Sequence, residues 1–288
     1  MAPYEYKNTL KSSLSDELIN TYLLRPVAGF IVSLLYKTSV TPNQVTVAST
    51  VAGLIAAAIY LNNEALTTAV AGLMVTVKDV LDSADGQLAR AKGQYTRIGR
   101  FLDSIGDFVV DLALFGALGW ILYRSTGDTW MLMLAAMGLF GITLRVSYHV
   151  FYQTSFLHFE DQYVNNRVTE ELTRDDLAGD PLALALQRIF LIIYGWQDRF
   201  MLRLDSWCRR GRSDRESLLL WYSDPAGLRL SGLIGIGTEL FLLMLCSLFN
   251  ELRLYLFLNL LLMNGILFFS IFYRRVFLFP SLDTKGSL

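Results

Sequence analysis

Apolar stretches long enough to cross a bilayer recur along the chain, and polar residues collect between them. A spanning helix needs about 20 mostly apolar residues. Six such segments are expected, at roughly 45–62, 65–90, 99–123, 129–152, 228–249 and 252–273. The first and second, third and fourth, and fifth and sixth are joined by very short connections, which predicts three tight helical hairpins. The expected fold class is an all-α polytopic membrane protein with six transmembrane helices and an amphipathic interfacial helix at its N-terminal end.

That leading helix is read from residues 14–37, where Leu18, Ile19, Tyr22, Leu23, Val27 and Phe30 recur at helical spacing among polar residues, and "TPNQ" ends the run. A helix lying along the inner membrane surface and one packed on the protein's own spans both fit. Residues 153–227 form the one long polar insert. Its acidic stretch holds Glu160, Asp161, Glu170, Glu171, Asp175 and Asp176, and its basic stretch Arg209, Arg210, Arg212 and Arg215. Between them "PLALALQRIFLIIYGWQDRFMLRL" predicts an interfacial or core helix. A seventh span is rejected, because Gln187, Arg188, Gln197, Asp198 and Arg199 interrupt it and it would reverse the last two spans. The chain thus divides into a cytoplasmic segment with the amphipathic helix (1–41), helices 1–4 (42–152), a cytoplasmic insert (153–227), helices 5–6 (228–275) and a cytoplasmic tail (276–288).

Lysine and arginine fix the expected orientation. With the N-terminus cytoplasmic, the inner segments hold Lys7, Lys11, Arg25, Lys37, Arg90, Lys92, Arg97, Arg100, the arginines of the insert, Arg274, Arg275 and Lys285. The outer loops hold Arg124 and Arg253 alone, a strong positive-inside bias. Both termini are then cytoplasmic, and in a bacterial cell the chain would sit in the inner membrane. The opening residues "MAPYEYKNTLKSSLSDEL" stay polar for too long to include an apolar signal core.

Composition narrows the chemistry. Of 288 residues, 53% are hydrophobic and only 18% charged, and the net charge of −1 gives no general attraction to nucleic acid. Cys208 and Cys246 lie in unrelated surroundings, so no disulfide is expected, and His149 and His158 are too isolated for a zinc site. Carboxylates are what stand out. Burying them near lipid is costly, so such residues usually face a cavity and have a function. Asp82, Asp85, Gly86 and Ala89 share one face at the cytoplasmic end of the second span, and Gly99, Asp103 and Asp107 share one face of the third. The short link between Arg90 and Gly99 lets these faces meet. Four converging carboxylates repel one another unless cations join them, and hard divalent ions suit oxygen ligands. Two ions beside carboxylates serve phosphoryl-group chemistry. Gly86 and Ala89 leave room for a ligand, and Arg90 offers a fork of donors to a phosphate. A proton or cation path through Asp79, Asp111 and Glu239 is the rival from another class, and a non-catalytic scaffold a second.

The spacing Asp82-x2-Asp85-Gly86-x2-Ala89-Arg90-x8-Gly99-x3-Asp103-x3-Asp107 resembles, at all eight fixed positions, the signature of the CDP-alcohol phosphotransferases, integral membrane enzymes of phospholipid synthesis. The layout of spans and "TPNQVT" at the start of the first extend the resemblance; the length of the insert departs from it. The resemblance implies transfer of a substituted phosphate from a CDP-linked donor to an alcohol with release of CMP, one of the two substrates being lipid. It implies that Asp82, Asp85 and Asp103 hold two Mg²⁺ or Mn²⁺ ions with a contribution from Asp107, which is also the general base. Gly86, Ala89 and Arg90 would bind the donor, with Asn43, Thr46 and Thr96 touching it. CDP-diacylglycerol is the favoured donor, and CDP-choline or CDP-ethanolamine with diacylglycerol the alternative branch. Lys78 and Arg145 are candidate contacts to the acceptor, against pairing with Asp79, Asp111 or Glu239. A homodimer is expected by analogy.

Overall fold

The computed structural model describes residues 4–10, 12, 14–160, 170–173, 176–177 and 179–279. Lys11, Asp161, Arg167, Asp175, Lys285 and most of the expected tail lie outside the described residues.

Helix ends follow local chemistry. α1 (Arg25–Leu35) continues from a π turn at Asn20–Leu24. α2 (Pro42–Tyr60) begins with a capping box between Thr41 and Gln44 and with proline at its first position, where no amide hydrogen is missed. α3 (Ala65–Lys92) ends at Gly93, whose φ of 65° is the left-handed cap that a side chain would oppose. α4 (Arg97–Thr126) is opened by Thr96, whose hydroxyl accepts from the Gly99 amide at 2.9 Å. α5 (Trp130–Phe159) runs two turns beyond the end expected at 152. α6 (Pro181–Cys208) is the helix expected inside the insert, and the short α7 (Arg215–Tyr222) follows it. The fifth apolar segment is broken. It forms α8 (Pro225–Gly232) and α9 (Ile236–Leu248), separated by a turn at 233–235. α10 (Leu252–Leu278) winds through π turns at Leu258–Met263 and Arg274–Leu278.

Five helical segments are long and apolar enough to cross a membrane: α2, α4, α5, the α8–α9 pair and α10. They make the chain an integral membrane protein, all-helical among the described residues. α3 has the length but not the apolarity, because Lys78, Asp79, Asp82 and Asp85 interrupt it. α3 nevertheless runs through the middle of the bundle, against α1, α2 and α9, and buries Ala71, Val75 and Leu88 completely. The polar residues of α3 thus face protein instead of lipid, which is where charged groups in such a bundle are tolerated. Small residues bring the helices close: a Cβ added at Gly53 of α2 would stand 2.5 Å from Val110 Cγ1 of α4.

The N-terminal helix packs on the protein's own helices along one side. Leu24, Ala28 and Val32 are buried against α3, whereas Leu23, Val27, Phe30 and Leu34 form an exposed apolar row on the other side. α6 packs on α4 and α5. Arg145 and Glu239 meet inside the bundle at 2.9 Å, both fully buried. Tyr255 donates to Glu239 at 3.1 Å, Asn259 donates to it at 2.5 Å, and Asn264 accepts from Arg145 at 2.7 Å.

Candidate active site

α3 ends and α4 begins at the same end of the bundle, and the turn at 93–96 lays the last turns of one beside the first turns of the other. On α3, Lys78, Asp82, Asp85 and Ala89 follow at three- and four-residue steps and so share a face. Gly99, Asp103 and Asp107 do the same on α4. One carboxylate oxygen from each of Asp82, Asp85 and Asp103 lies within 4.8 Å of the others. Asp107 joins them through Lys78: the ammonium is bonded to Asp107 and stands 3.6 Å from an Asp82 oxygen.

The gathering fits divalent cations. Its donors are all carboxylate oxygens, the ligands that hard ions take, and three converge from two helices. Among the described residues no other group of acidic, histidine or cysteine side chains has this arrangement. Lys78, only 1% exposed, is the cation that already offsets part of the charge.

α2 supplies the third wall. The Thr46 hydroxyl donates to Asp85 and so holds that carboxylate in place beside the cluster. Ser49 donates to the Lys78 carbonyl at 2.9 Å and ties α2 to α3 one turn deeper. Asn43 packs at the start of α4, where a Cβ on Gly99 would come within 2.6 Å of its Oδ1. Glycine at 99 is therefore what allows Asn43 and Thr96 to sit together at this helix end.

Gly86 faces the Arg90 guanidinium, which would lie 3.6 Å from a Cβ placed there. Ala89 is half-buried beside them. Arg90 Nε donates to the Thr9 carbonyl at 2.5 Å, so the N-terminal segment reaches into the mouth of the site. Nothing in the sequence pattern pointed to Thr9.

The insert also contributes, through contacts that helical periodicity does not reveal. Tyr194 of α6 donates to the Ser104 carbonyl at 2.8 Å, and Phe190 packs on Phe101 with ring centroids 5.4 Å apart. Both contacts lie on the turn that carries Asp103. Arg97 is bonded to Asp176 and donates to Glu170 at 2.9 Å, while Arg100 is 3.2 Å from Glu170. The Arg97 guanidinium holds the Asp176 carboxyl well below the usual carboxylate range. Burial pushes the Asp198 carboxyl, one turn beyond Tyr194, up to about 6.

The two acceptor candidates part company. Lys78 lies in the acidic site, paired with Asp107 and Asp82 and not with Asp79, Asp111 or Glu239 as its pairing alternatives had it. Arg145 lies in the separate buried network and is paired with Glu239, one of the partners that the sequence allowed. Its guanidinium also donates to the Asn259 carbonyl at 3.1 Å, so its donors are directed into the bundle.

Comparison with known proteins agrees with this geometry. Residues 39–205 match the family described as CDP-alcohol phosphatidyltransferase, a span that includes α2 to α5, most of α6 and every carboxylate of the cluster. The chain is similar to the bifunctional IPC transferase and DIPP synthase of Thermococcus kodakarensis, 30% identical over 140 residues, or 49% of this chain and 30% of that protein. It is 43% identical to the archaetidylinositol phosphate synthase of Pyrococcus horikoshii over 83 residues, 28% of this chain and 42% of the relative. The phosphatidylinositol phosphate synthase of Corynebacterium glutamicum is 32% identical over 126 residues, 44% of this chain and 55% of the relative. The matched part thus spans well under two thirds of each of these relatives. The family match over more than half of the chain, together with the four aspartates meeting at one end of α3 and α4, leads to one conclusion: the chain belongs to the CDP-alcohol phosphatidyltransferase family.

Proposed function

We propose that this protein transfers a phosphatidyl group from CDP-diacylglycerol to the hydroxyl of a small alcohol and releases CMP. The observation that carries the reading is the convergence of Asp82, Asp85 and Asp103, with Asp107 on the same side and held by Lys78. Asp82, Asp85 and Asp103 are the residues to hold two Mg²⁺ or Mn²⁺ ions, with Asp107 contributing. When bound, the ions supply charge neutralisation on the donor diphosphate and make CMP a better leaving group.

The remaining roles fall to the chain. Asp107 takes the proton from the acceptor hydroxyl as the new bond to phosphorus forms. Lys78 keeps Asp107 anionic and oriented for that transfer. Gly86 and Ala89 leave space beside the α3 backbone for the cytidine moiety, and Arg90 offers its guanidinium edge to a donor phosphate. Thr46 holds the Asp85 rotamer, and Asn43 with Thr96 borders the donor pocket at the start of α4. Catalysis by such a site is mostly positioning and electrostatic stabilisation.

A phosphorylated acceptor is favoured over serine or free glycerol, because two of the similar proteins are named as archaetidylinositol phosphate synthase and phosphatidylinositol phosphate synthase. Lys78 is the one acceptor candidate beside the reacting groups. α3 serves as the sixth crossing helix, which puts the site and both chain ends on the cytoplasmic side in keeping with the lysine and arginine distribution. The protein works as a homodimer, by analogy with its family.

The test is CMP release by the purified protein in lipid nanodiscs with Mg²⁺. CDP-diacylglycerol and CDP-choline are offered separately, each with inositol phosphate, glycerol phosphate and serine, or with diacylglycerol. Release from CDP-diacylglycerol with a phosphorylated alcohol is expected. Release from CDP-choline alone would move the protein to the other branch, and no release with any pair would defeat the reading.

A further inference from the structure

The last turns of α6 and the end of α10 line an open cleft of about 610 Å³. Arg203, Arg210 and Arg275 line it with Leu202, Ser206 and Trp207, and none of its lining residues is acidic. The neighbouring α6 carboxylate, Asp205, is turned inward: it accepts from Trp221 at 2.8 Å, Tyr222 at 2.7 Å, Tyr152 at 3.1 Å and Arg209 at 2.8 Å. It is buried and spoken for, so it does not neutralise the cleft. Arg275 lies 3.8 Å over the Trp207 ring and also bonds the Trp207 carbonyl, which holds both side chains in place. Arg203 and Arg210 are exposed, and neither makes an ion pair among the described residues.

The surroundings of the arginines are apolar. Trp207 is 54% exposed, and Phe272, Val276 and Phe277 leave their side chains uncovered on α10 beside Arg275. α10 ends against α6, where Arg275 reaches the Trp207 carbonyl, and α6 in turn packs on the first turns of α4. The cleft is nonetheless a separate place. Trp207 is 13 residues beyond Tyr194 on one helix, or about 20 Å along its axis. Exposed cations with an aromatic ring at the end of a crossing helix, next to lipid-facing phenylalanines, have the layering of a phospholipid: a phosphate level and below it a hydrocarbon level.

We infer that this cleft binds the phosphate head group of an anionic membrane phospholipid, whose acyl chains lie along the exposed face of α10. Arg203 and Arg210 supply forked donors to the phosphate oxygens, and Arg275, braced on Trp207, supplies the third. The site is a lipid anchor outside the reaction centre.

Native mass spectrometry of the full chain tests this, after release from nanodiscs of equal parts phosphatidylglycerol and phosphatidylcholine. The wild type is expected to retain phosphatidylglycerol about fivefold over phosphatidylcholine, from the charge of the head group. Arg203→Gln with Arg210→Gln should bring the two lipids to near parity. Arg203→Gln alone, at an exposed position, should halve the preference without touching the fold, which the melting of tryptophan fluorescence checks. Equal retention by the wild type, or an unchanged preference in both variants, overturns the inference. Displacement of phosphatidylglycerol by millimolar inorganic phosphate overturns it too, in favour of a site for soluble phosphate. The readout is lipid retention, so it is independent of whether CMP is released.

Discussion

The Lys78 ammonium and the Asp107 carboxylate are bonded across the α3–α4 interface, and the same ammonium stands 3.6 Å from Asp82. One fully buried cation thus touches both a proposed metal ligand and the proposed base. Replacing it by an apolar residue of similar reach removes repulsion toward incoming cations. In Lys78→Met the half-saturating Mg²⁺ concentration should fall about threefold or more, since a unit charge at this range is worth over 1 kcal/mol in a partly buried setting. The turnover number should fall as well, because Asp107 loses its partner. A Mg²⁺ titration of CMP release reads both, and a rise in the Mg²⁺ requirement would contradict the arrangement.

Asp107→Asn keeps the shape of the side chain and its contact with Lys78 but cannot take a proton. CMP release should drop by about 10²–10⁴, the usual worth of a general base. CDP binding, followed by isothermal calorimetry with Mg²⁺, should be weakened far less. Full activity in this variant would remove Asp107 from its role.

Arg145 separates a structural reading from a functional one. Its pairing with Glu239 is fully buried, and removing one partner of such a pair costs about 3–5 kcal/mol. Arg145→Met should lower the thermal midpoint by several degrees, and adding Glu239→Gln should recover part of that loss while leaving Tyr255 and Asn259 an acceptor. The acceptor KM of the folded fraction should stay unchanged in the double variant. A large rise in that KM would return Arg145 to the acceptor.

Glu17 gives a pH dependence outside the spans. It is 3% exposed and accepts from the Thr238 amide at 2.9 Å. Burial is the main cause that pushes its carboxyl from 4.5 up to about 7. The folded state therefore binds this proton more tightly than the unfolded one. Stability from this group is fullest below about pH 4.5, declines as pH rises toward 7 and is level above, a difference of about 3 kcal/mol. Glu17→Gln should flatten the decline between pH 5 and 7 in thermal melts followed by tryptophan fluorescence. A wild-type-to-variant difference that does not change with pH would contradict it.

Much of this site was legible in the sequence, for a simple reason. Asp82, Asp85, Asp103 and Asp107 sit at three- and four-residue steps, and a helix converts such steps into a face whatever surrounds it. The short link between Arg90 and Gly99 then leaves the two faces little choice but to meet. Which partner Lys78 takes was not legible, because the choice between Asp79 on its own helix and Asp107 on the next depends on how α3 is rotated against α4. Periodicity carries no information about that rotation. The same limit hid Thr9 at Arg90 and the acidic residues of the insert at Arg97 and Arg100, contacts between residues 70 or more positions apart. The break at 233–235 had a visible signal in Gly232, Gly235 and Gly237, but its purpose appears only with Glu17. A Cβ at Gly237 would come within 3.1 Å of Glu17 Oε2, so the N-terminal segment lies directly against the broken span.

That joint has a consequence for how the molecule is made. Glu17 and Thr238 are 221 positions apart, and a chain emerging from the ribosome offers the first long before the second. Until α9 is synthesised, Glu17 has no amide to cap, and α1 can rest only on α3. The contact closes among the last, at a high loop-closure cost that earlier packing must already have reduced. The seam between Glu17 and Thr238 therefore acts as a completion lock, engaged only when the helices from α1 to α8 have been laid down in order.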